Sequence, residues 1–277
     1  MTDLAVAYRV YPGISKSPAF FSTDKFRLTD MCLRSFRSGL GGLKIKIWAL
    51  LDACPPEYEE LFRDVLSGQD LEVIKLDKLG NQGTFSLQID LLLRQSEAEF
   101  VYFAEDDYFY LESALEKMVG FMRANSDVDF VTPYDHPDSY FTSSRHERHL
   151  VRPWGDRYWR TASSTCLTFL TSRTIVQRTE RMLRTYSRGS MDHPMWLALT
   201  QKLSLLNAQV HCSDLSRTKL WVRMWQYGLR QVLFGRRYRL WAPMPALSTH
   251  MESTCLSPLI DWPQEFEHFE RISGKAP

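Results

Sequence analysis

Short apolar runs alternate with stretches of helical period along the first 110 residues. Residues 4–11 (Leu-Ala-Val-Ala-Tyr-Arg-Val-Tyr) read as a strand ended by Pro12-Gly13, and residues 44–51 and 71–76 read as a second and third strand. The spacing predicts a helix over 24–38, with Ser22, Thr23 and Asp24 as caps and Gly39, Gly41 and Gly42 beyond its end. Another opens at Pro55-Pro56 and carries Leu61, Phe62, Val65 and Leu66 on one face, with Gly68 past its end. Gly80-Asn-Gln-Gly83 predicts a turn, with Thr84 capping a helix to Gln95. Residues 100–110 form the fourth strand. Strand and helix alternating four times predict an α/β fold with a mostly parallel central sheet flanked by helices.

The second half is less regular. A helix over 112–124 (Leu115, Val119 and Met122 on one face) and a short strand over 129–134 are followed by a polar and aromatic stretch, 135–161, without a period. It holds Arg145, His146, Arg148, His149, Arg152, Trp154, Arg157 and Arg160, and long loops of this kind are usually functional or disordered. A strand over 163–171, a helix over 173–184 and a further helix opening at Ser190, with Asp192 at its amino end, complete the pattern. One domain spanning 1–277 is expected, with a nucleotide-type half over about 1–110 and an irregular acceptor-side half over about 111–277.

Composition changes this picture little. The chain has 277 residues, 44% of them apolar, enough for a substantial core. A net charge of +1 gives no case for a nucleic-acid partner. Five cysteines without a C-x-x-C pair suit reduced thiols in a cytoplasmic protein. There is no basic segment leading a long apolar stretch at the start, and no run nears the roughly 18 apolar residues of a spanning helix, so a soluble or membrane-surface protein is expected. Residues 217–240 stand out. Arg217, Lys219, Arg223, Arg230, Arg236, Arg237 and Arg239 occur there without an acid, beside a helical stripe of Leu220, Trp221, Met224, Trp225, Leu229, Val232 and Leu233. Such a basic amphipathic helix either lies on a membrane surface or packs its stripe on the domain and leaves its arginines to solvent or to diphosphate.

The chemistry concentrates at Glu105-Asp106-Asp107, directly after the apolar run of the fourth strand. Three adjacent carboxylates repel, and partial burial penalises each charge further. A hard divalent cation, shared with substrate phosphates, resolves that conflict. The carboxyl ends of strands in open α/β sheets are also where ligands bind. The plain alternative is a solvated acidic turn.

The alternating first half, Gly80-Asn81, the Glu-Asp-Asp triplet and Asp192 further on together resemble the GT-A-fold glycosyltransferases of family 2, with Glu-Asp-Asp as a variant of their DXD motif. The resemblance implies a metal-dependent transferase moving a sugar from a nucleoside-diphosphate sugar to a glycan or lipid-linked glycan. It implies Asp107 and His250 on Mn²⁺ or Mg²⁺, Asp106 at the ribose or donor sugar, and Glu105 orienting its neighbours. Arg9, Tyr11, Asp52 and Asn81 would line the nucleotide. Asp192 would be the base of an inverting reaction, with Glu180 and Asp214 in reserve; otherwise it is a helix cap. Ordinary strand-end packing remains the alternative for Arg9 and Tyr11, and a solvated loop position for His250. The acceptor side would face surface-polysaccharide or lipopolysaccharide-type synthesis at the cytoplasmic face of a membrane. Two other readings stay open: a sugar nucleotidyltransferase, which should carry a glycine-rich basic loop where residues 8–13 have one glycine, and a non-catalytic glycan- or membrane-binding protein.

Overall fold

The computed structural model describes residues 2–14, 17–141, 148–202 and 215–272, the side chains of 141 and 215–221 excepted. The first half is β1 (Leu4–Val10), α1 (Lys25–Gly39), β2 (Ile45–Asp52), α2 (Pro56–Val65), β3 (Asp70–Leu76), α3 (Gly80–Arg94) and β4 (Phe100–Glu105). The second half continues with β5 (Tyr108–Tyr110), α4 (Ala114–Ala124), β6 (Phe130–Val131), α5 (Asp138–Phe141), β7 (Val151–Trp154), β8 (Arg157–Ala162), β9 (Phe169–Ser172) and α6 (Arg173–Leu183). It ends with α7 (Asp192–Thr200), α8 (Leu215–Phe234), β10 (Leu240–Met244), β11 (Ser248–His250) and α9 (Trp262–Ile272).

Nine strands form one sheet in the order β3-β2-β1-β4-β9-β6-β10-β8-β7. The pairs β3–β2, β2–β1, β1–β4 and β6–β10 are parallel; the pairs involving β9 or β8 are antiparallel. Seven strands therefore run one way, and β8 and β9 run against them. The period of two along β1 divides the core. Leu4, Val6, Tyr8 and Val10 join Phe36, Phe62 and Met118 on one face of the sheet, while Ala5 and Ala7 join Phe85, Ile89, Trp196 and Met224 on the other. Helices α1, α2 and α4 thus cover the first face and α3, α6, α7 and α8 the second. The small side chains of Ala5 and Ala7 let α3 press close, and the Gln88 amide Nε2 donates to the carbonyls of Ala7 (2.7 Å) and Ala104 (3.1 Å).

The structure corrects several boundaries. Helix α3 starts at Gly80, four residues before the expected Thr84 cap, because the cap comes from elsewhere in the chain. The Asp52 carboxylate at the end of β2 accepts from the amides of Leu79 and Gly80, both at 2.7 Å. The run 100–110 is two strands, since Tyr108–Tyr110 turns away to pair antiparallel with Ser248–His250 in a separate two-stranded sheet. The stretch 135–161 is not irregular throughout: β7 and β8 form a hairpin on the sheet edge. Three of its arginines are built into the fold. Arg152 pairs with Asp127, Arg160 with buried Asp135, and Arg157 donates to the carbonyls of Pro245 (2.8 Å) and Ala246 (3.1 Å). Arg145 and His146 lie outside the described residues.

Helix α8 also departs from the expected stripe. Met224 is buried and Gly228 sits against Ala198 of α7, where an added Cβ would lie 2.6 Å from the alanine methyl. Leu229 and Leu233, however, face solvent together with Val222, Arg223 and Arg230. Packing of α8 against α7 takes the narrow face that holds Gly228, so the outer leucines are left uncovered. No helix among the described residues is long and apolar enough to cross a membrane.

Candidate active site at the carboxyl ends of the strands

Parallel pairing of β1 with β4 places Arg9 opposite Glu105 in register. The Arg9 guanidinium, almost fully buried, pairs with Glu105 and donates to the Asn81 side chain and to its carbonyl oxygen (3.0 Å). The other Glu105 oxygen accepts from Thr168 Oγ1 at 2.9 Å. Asn81 in turn donates to the Tyr186 hydroxyl at 3.1 Å. Arg9, Glu105 and Asn81 thus clip together the ends of β1 and β4 and the first turn of α3. Asp52 belongs to the same scaffold, because both of its oxygens hold the turn that presents Asn81.

Asp106 faces a different cation. Its Oδ2 accepts from Lys25 Nζ at 2.9 Å and from the Tyr11 amide at 3.1 Å, while the Tyr11 ring itself is exposed. Burial and the adjacent Asp107 raise the Asp106 carboxyl above its ordinary range despite Lys25. Burial disfavours the charge on Lys25, but Asp106 and Asp107 more than offset this and hold the ammonium protonated.

Asp107 is the acid that pairs with no lysine or arginine among the described residues. The β5–β11 ribbon pairs Tyr108 with His250 and brings His250 Nε2 to 3.3 Å from Asp107 Oδ2. Asp107 Oδ1 is buried with no hydrogen-bond partner among the described residues. Burial alone would raise this carboxyl, yet the neighbouring His250, with Lys25 and Arg9 beyond, holds it below the usual carboxylate range. A cavity of about 20 Å³ lies beside it, lined by Lys25, Asp107, His250, Met251 and Glu252 among others.

These residues fit a divalent cation. Two ligands at right angles, each about 2.1 Å from a metal, lie roughly 3 Å apart, close to the spacing of Asp107 and His250. An unpartnered buried carboxylate oxygen is also a polar atom in need of a positive neighbour. No group of three or more His, Cys, Asp or Glu suited to a metal occurs among the described residues, so remaining ligands would be phosphate oxygens and water. The Glu252 amide donates to His250 Nδ1 at 3.1 Å, which leaves the ring proton on Nε2, directed at Asp107. Ligation through Nε2 requires that proton to leave.

Asp192 stands at the first turn of α7, partly exposed, with Oδ1 accepting from its own helix at His193 N (2.8 Å). It lies near enough to His136, Tyr186 and Cys166 to act on their titration. His136 is held below the ordinary histidine value by burial and by His250, against the pull of Asp138 and Asp192. Of the reserve acids, Glu180 pairs with Arg184 at 2.8 Å on α6, and Asp214 lies outside the described residues. Reasoning from the sequence missed Lys25, Thr168, Tyr186 and His136. Lys25 did leave a signal, since a cation in the first turn of a helix opposes the helix dipole and calls for a nearby acid.

No curated protein matches this chain. Solved structures with a similar chain path include residues 1–349 of S. aureus TarS, at a TM-score of 0.45 and 11% identity over 84% of this chain and 81% of that one. The same protein in complex with UDP-GlcNAc gives 0.43 and 11%, over 71% of this chain and 52% of that one, about half its length. A CMP:2-keto-3-deoxy-manno-octonic acid synthetase complexed with CTP gives 0.40 and 10%, over 73% and 87%. The family profile described as glycosyl transferase family 2 matches residues 29–190, more than half of the chain, from within α1 through the acidic triplet to the threshold of α7. That match covers more than half of the sequence, and the chain belongs to glycosyl transferase family 2: it is a glycosyltransferase of the GT-A fold.

Proposed function

We propose that this glycosyltransferase is metal-dependent and inverting, and that it moves a sugar from a nucleoside-diphosphate sugar to a glycan or lipid-linked glycan at the cytoplasmic face of a membrane. The observation that carries the reading is the buried, unpartnered Oδ1 of Asp107 beside His250 and a small cavity. Asp107 and His250 would hold Mn²⁺ or Mg²⁺. When bound, such a cation offsets the charge that develops on the departing diphosphate.

The chain's own residues supply the rest. Arg9, Glu105, Asn81 and Asp52 form the rigid wall of the donor site, and Asp106, held by Lys25 and the Tyr11 amide, offers its remaining lone pairs to the ribose or donor sugar. The exposed Tyr11 ring is free to stack on a base. Asp192, open to solvent at the start of α7, accepts the proton of the attacking acceptor hydroxyl. Family membership supports the sugar transfer, and Asp107 with its neighbours supports the metal.

A thermal-shift comparison of UDP, GDP, CMP and dTDP, each with and without Mn²⁺, tests the donor site. One nucleotide should raise Tm only when metal is present, because a ligand that binds only the native state stabilises it. A well-folded protein that responds to none of them, with or without metal, would remove the proposed site.

A further inference from the structure

The opposite end of the sheet carries a second site. Strand β10 runs parallel to β6 and hence in the same direction as β4. A cleft at the start of β10 therefore lies at the far end of the sheet from the carboxylates, which follow the end of β4. It has a volume of about 360 Å³ and is lined by Arg148, Lys202, Arg237, Arg239, Thr161 and Tyr238, with Leu150 and Leu240 in its wall and no acid among its described lining residues. That volume lies within the range of small-ligand sites.

Among the described residues the charge there is unbalanced, with two acids near. Asp127 is shared between Arg152 and Arg239, and Asp129 takes Arg236 at 2.7 Å and the Arg239 amide at 2.9 Å. Arg148 and Arg237 have no acidic partner among the described residues. Arg237, in the lining of the cleft, uses Nε to donate to the Thr200 carbonyl (3.0 Å), which leaves its other N–H groups available. Lys202 Nζ donates to the Arg148 carbonyl (3.1 Å) and so ties the two rims together. Guanidinium groups that converge on a shaped cavity match the oxygens of a phosphate ester in geometry and charge.

We infer that this cleft binds a phosphate ester, through Arg148, Arg237 and Arg239, at a site separate from the sugar-transfer centre. The group could be carried by a soluble phosphorylated glycan or by an anionic lipid. The second source has local support: Leu233 and Phe234, at the end of α8 just before Arg237, are exposed, the phenylalanine by 83%. The inference stands on the cleft alone and does not depend on the donor-site reading.

Calorimetric titration of the full chain with inorganic tripolyphosphate, in metal-free buffer, tests it. Wild type should bind with an affinity that falls as salt rises. Arg148→Gln should weaken binding about tenfold and Arg148→Gln/Arg237→Gln further, on the scale of lost charge-assisted hydrogen bonds. Asp107→Ala should bind like wild type. Absence of binding by wild type, equal binding by both arginine variants, or loss in Asp107→Ala overturns the inference. Arg237→Lys, which keeps the charge, serves where Arg237→Gln does not fold, and should bind more weakly than wild type through loss of the fork. Sedimentation with phosphatidylcholine vesicles, with and without phosphatidylglycerol, then separates the sources. Phosphatidylglycerol-dependent sedimentation that Arg148→Gln reduces assigns the phosphate to lipid, and tripolyphosphate binding without sedimentation assigns it to a soluble ligand.

Discussion

The two ends of this sheet treat charge in opposite ways. At the carboxyl end, each acid is matched to its own group: Glu105 to Arg9, Asp106 to Lys25, Asp107 to His250. At the amino end of β10, arginines outnumber the acids among the described residues, and two of them have no acidic partner there. Buried charges cost free energy unless they are paired, so a pairing that is nearly complete reports a scaffold, and a gap in it reports where a ligand is expected. The gap is one buried carboxylate oxygen at one end; at the other the guanidinium groups are solvent-exposed, and the excess of positive charge around a cleft, not burial, marks the place. The comparison separates residues that hold the molecule from residues that wait for something.

The sharpest way to break this comparison is Asp107→Ala. It should abolish metal-dependent nucleotide binding while leaving the fold intact with a modest loss of Tm, because the contacts that hold this carboxyl below its usual range are removed with it. Retained metal-dependent binding would mean that Asp107 is not the ligand. Asp192→Asn should cut turnover by roughly 10²-fold or more, the scale of a lost general base, with nucleotide binding near wild type in the same thermal-shift assay. Full activity in that variant would end the inverting assignment.

Arg9→Met should act on stability. It leaves Glu105 buried beside no cation, and removing one partner of a buried pair costs about 3–5 kcal/mol. Urea denaturation measures this, and a loss well below about 1 kcal/mol would show that the clip is not a structural element. Lys25→Met should give a smaller, pH-dependent loss. Asp106 is already raised by burial and Asp107, and without Lys25 it rises further. A carboxyl whose folded pKa exceeds its unfolded value has its stabilising contribution in full below the unfolded value, near 3.9, and loses it as pH climbs through the folded one. The Lys25→Met variant should therefore lose more stability relative to wild type at neutral pH than near pH 4. Adding Asp106→Asn should flatten that difference, and a profile parallel to wild type would contradict the pairing.

Much of the first half was legible because its signals are local. Alternation of apolar runs with helical periods requires no knowledge of neighbours, and Pro12-Gly13, Asp24 and Pro55-Pro56 mark ends through their own backbone chemistry. The helix starting at Lys25, capped by Asp24 Oδ1 on the Arg27 amide at 3.0 Å, follows that logic directly. Helix α3 did not, since its cap arrives from Asp52, 28 residues before Gly80. The hairpin at 151–162 was equally hidden. Its residues alternate imperfectly, and its place is set by pairing with β10, almost 80 residues later.

By itself the sequence determined the fold class and the position of the acidic triplet, because apolar periodicity and three adjacent carboxylates are properties of the local chain. Only the tertiary structure decided which partner each carboxylate meets. Arg9, Lys25 and His250 come from three separate regions, and the distinction between a satisfied oxygen and an orphaned one exists only once they are brought together. The basic cleft is the same case. Arg148, Lys202 and Arg237 are far apart along the chain, and their unmet charge becomes visible only where the ends of α7, α8 and β8 converge on the start of β10.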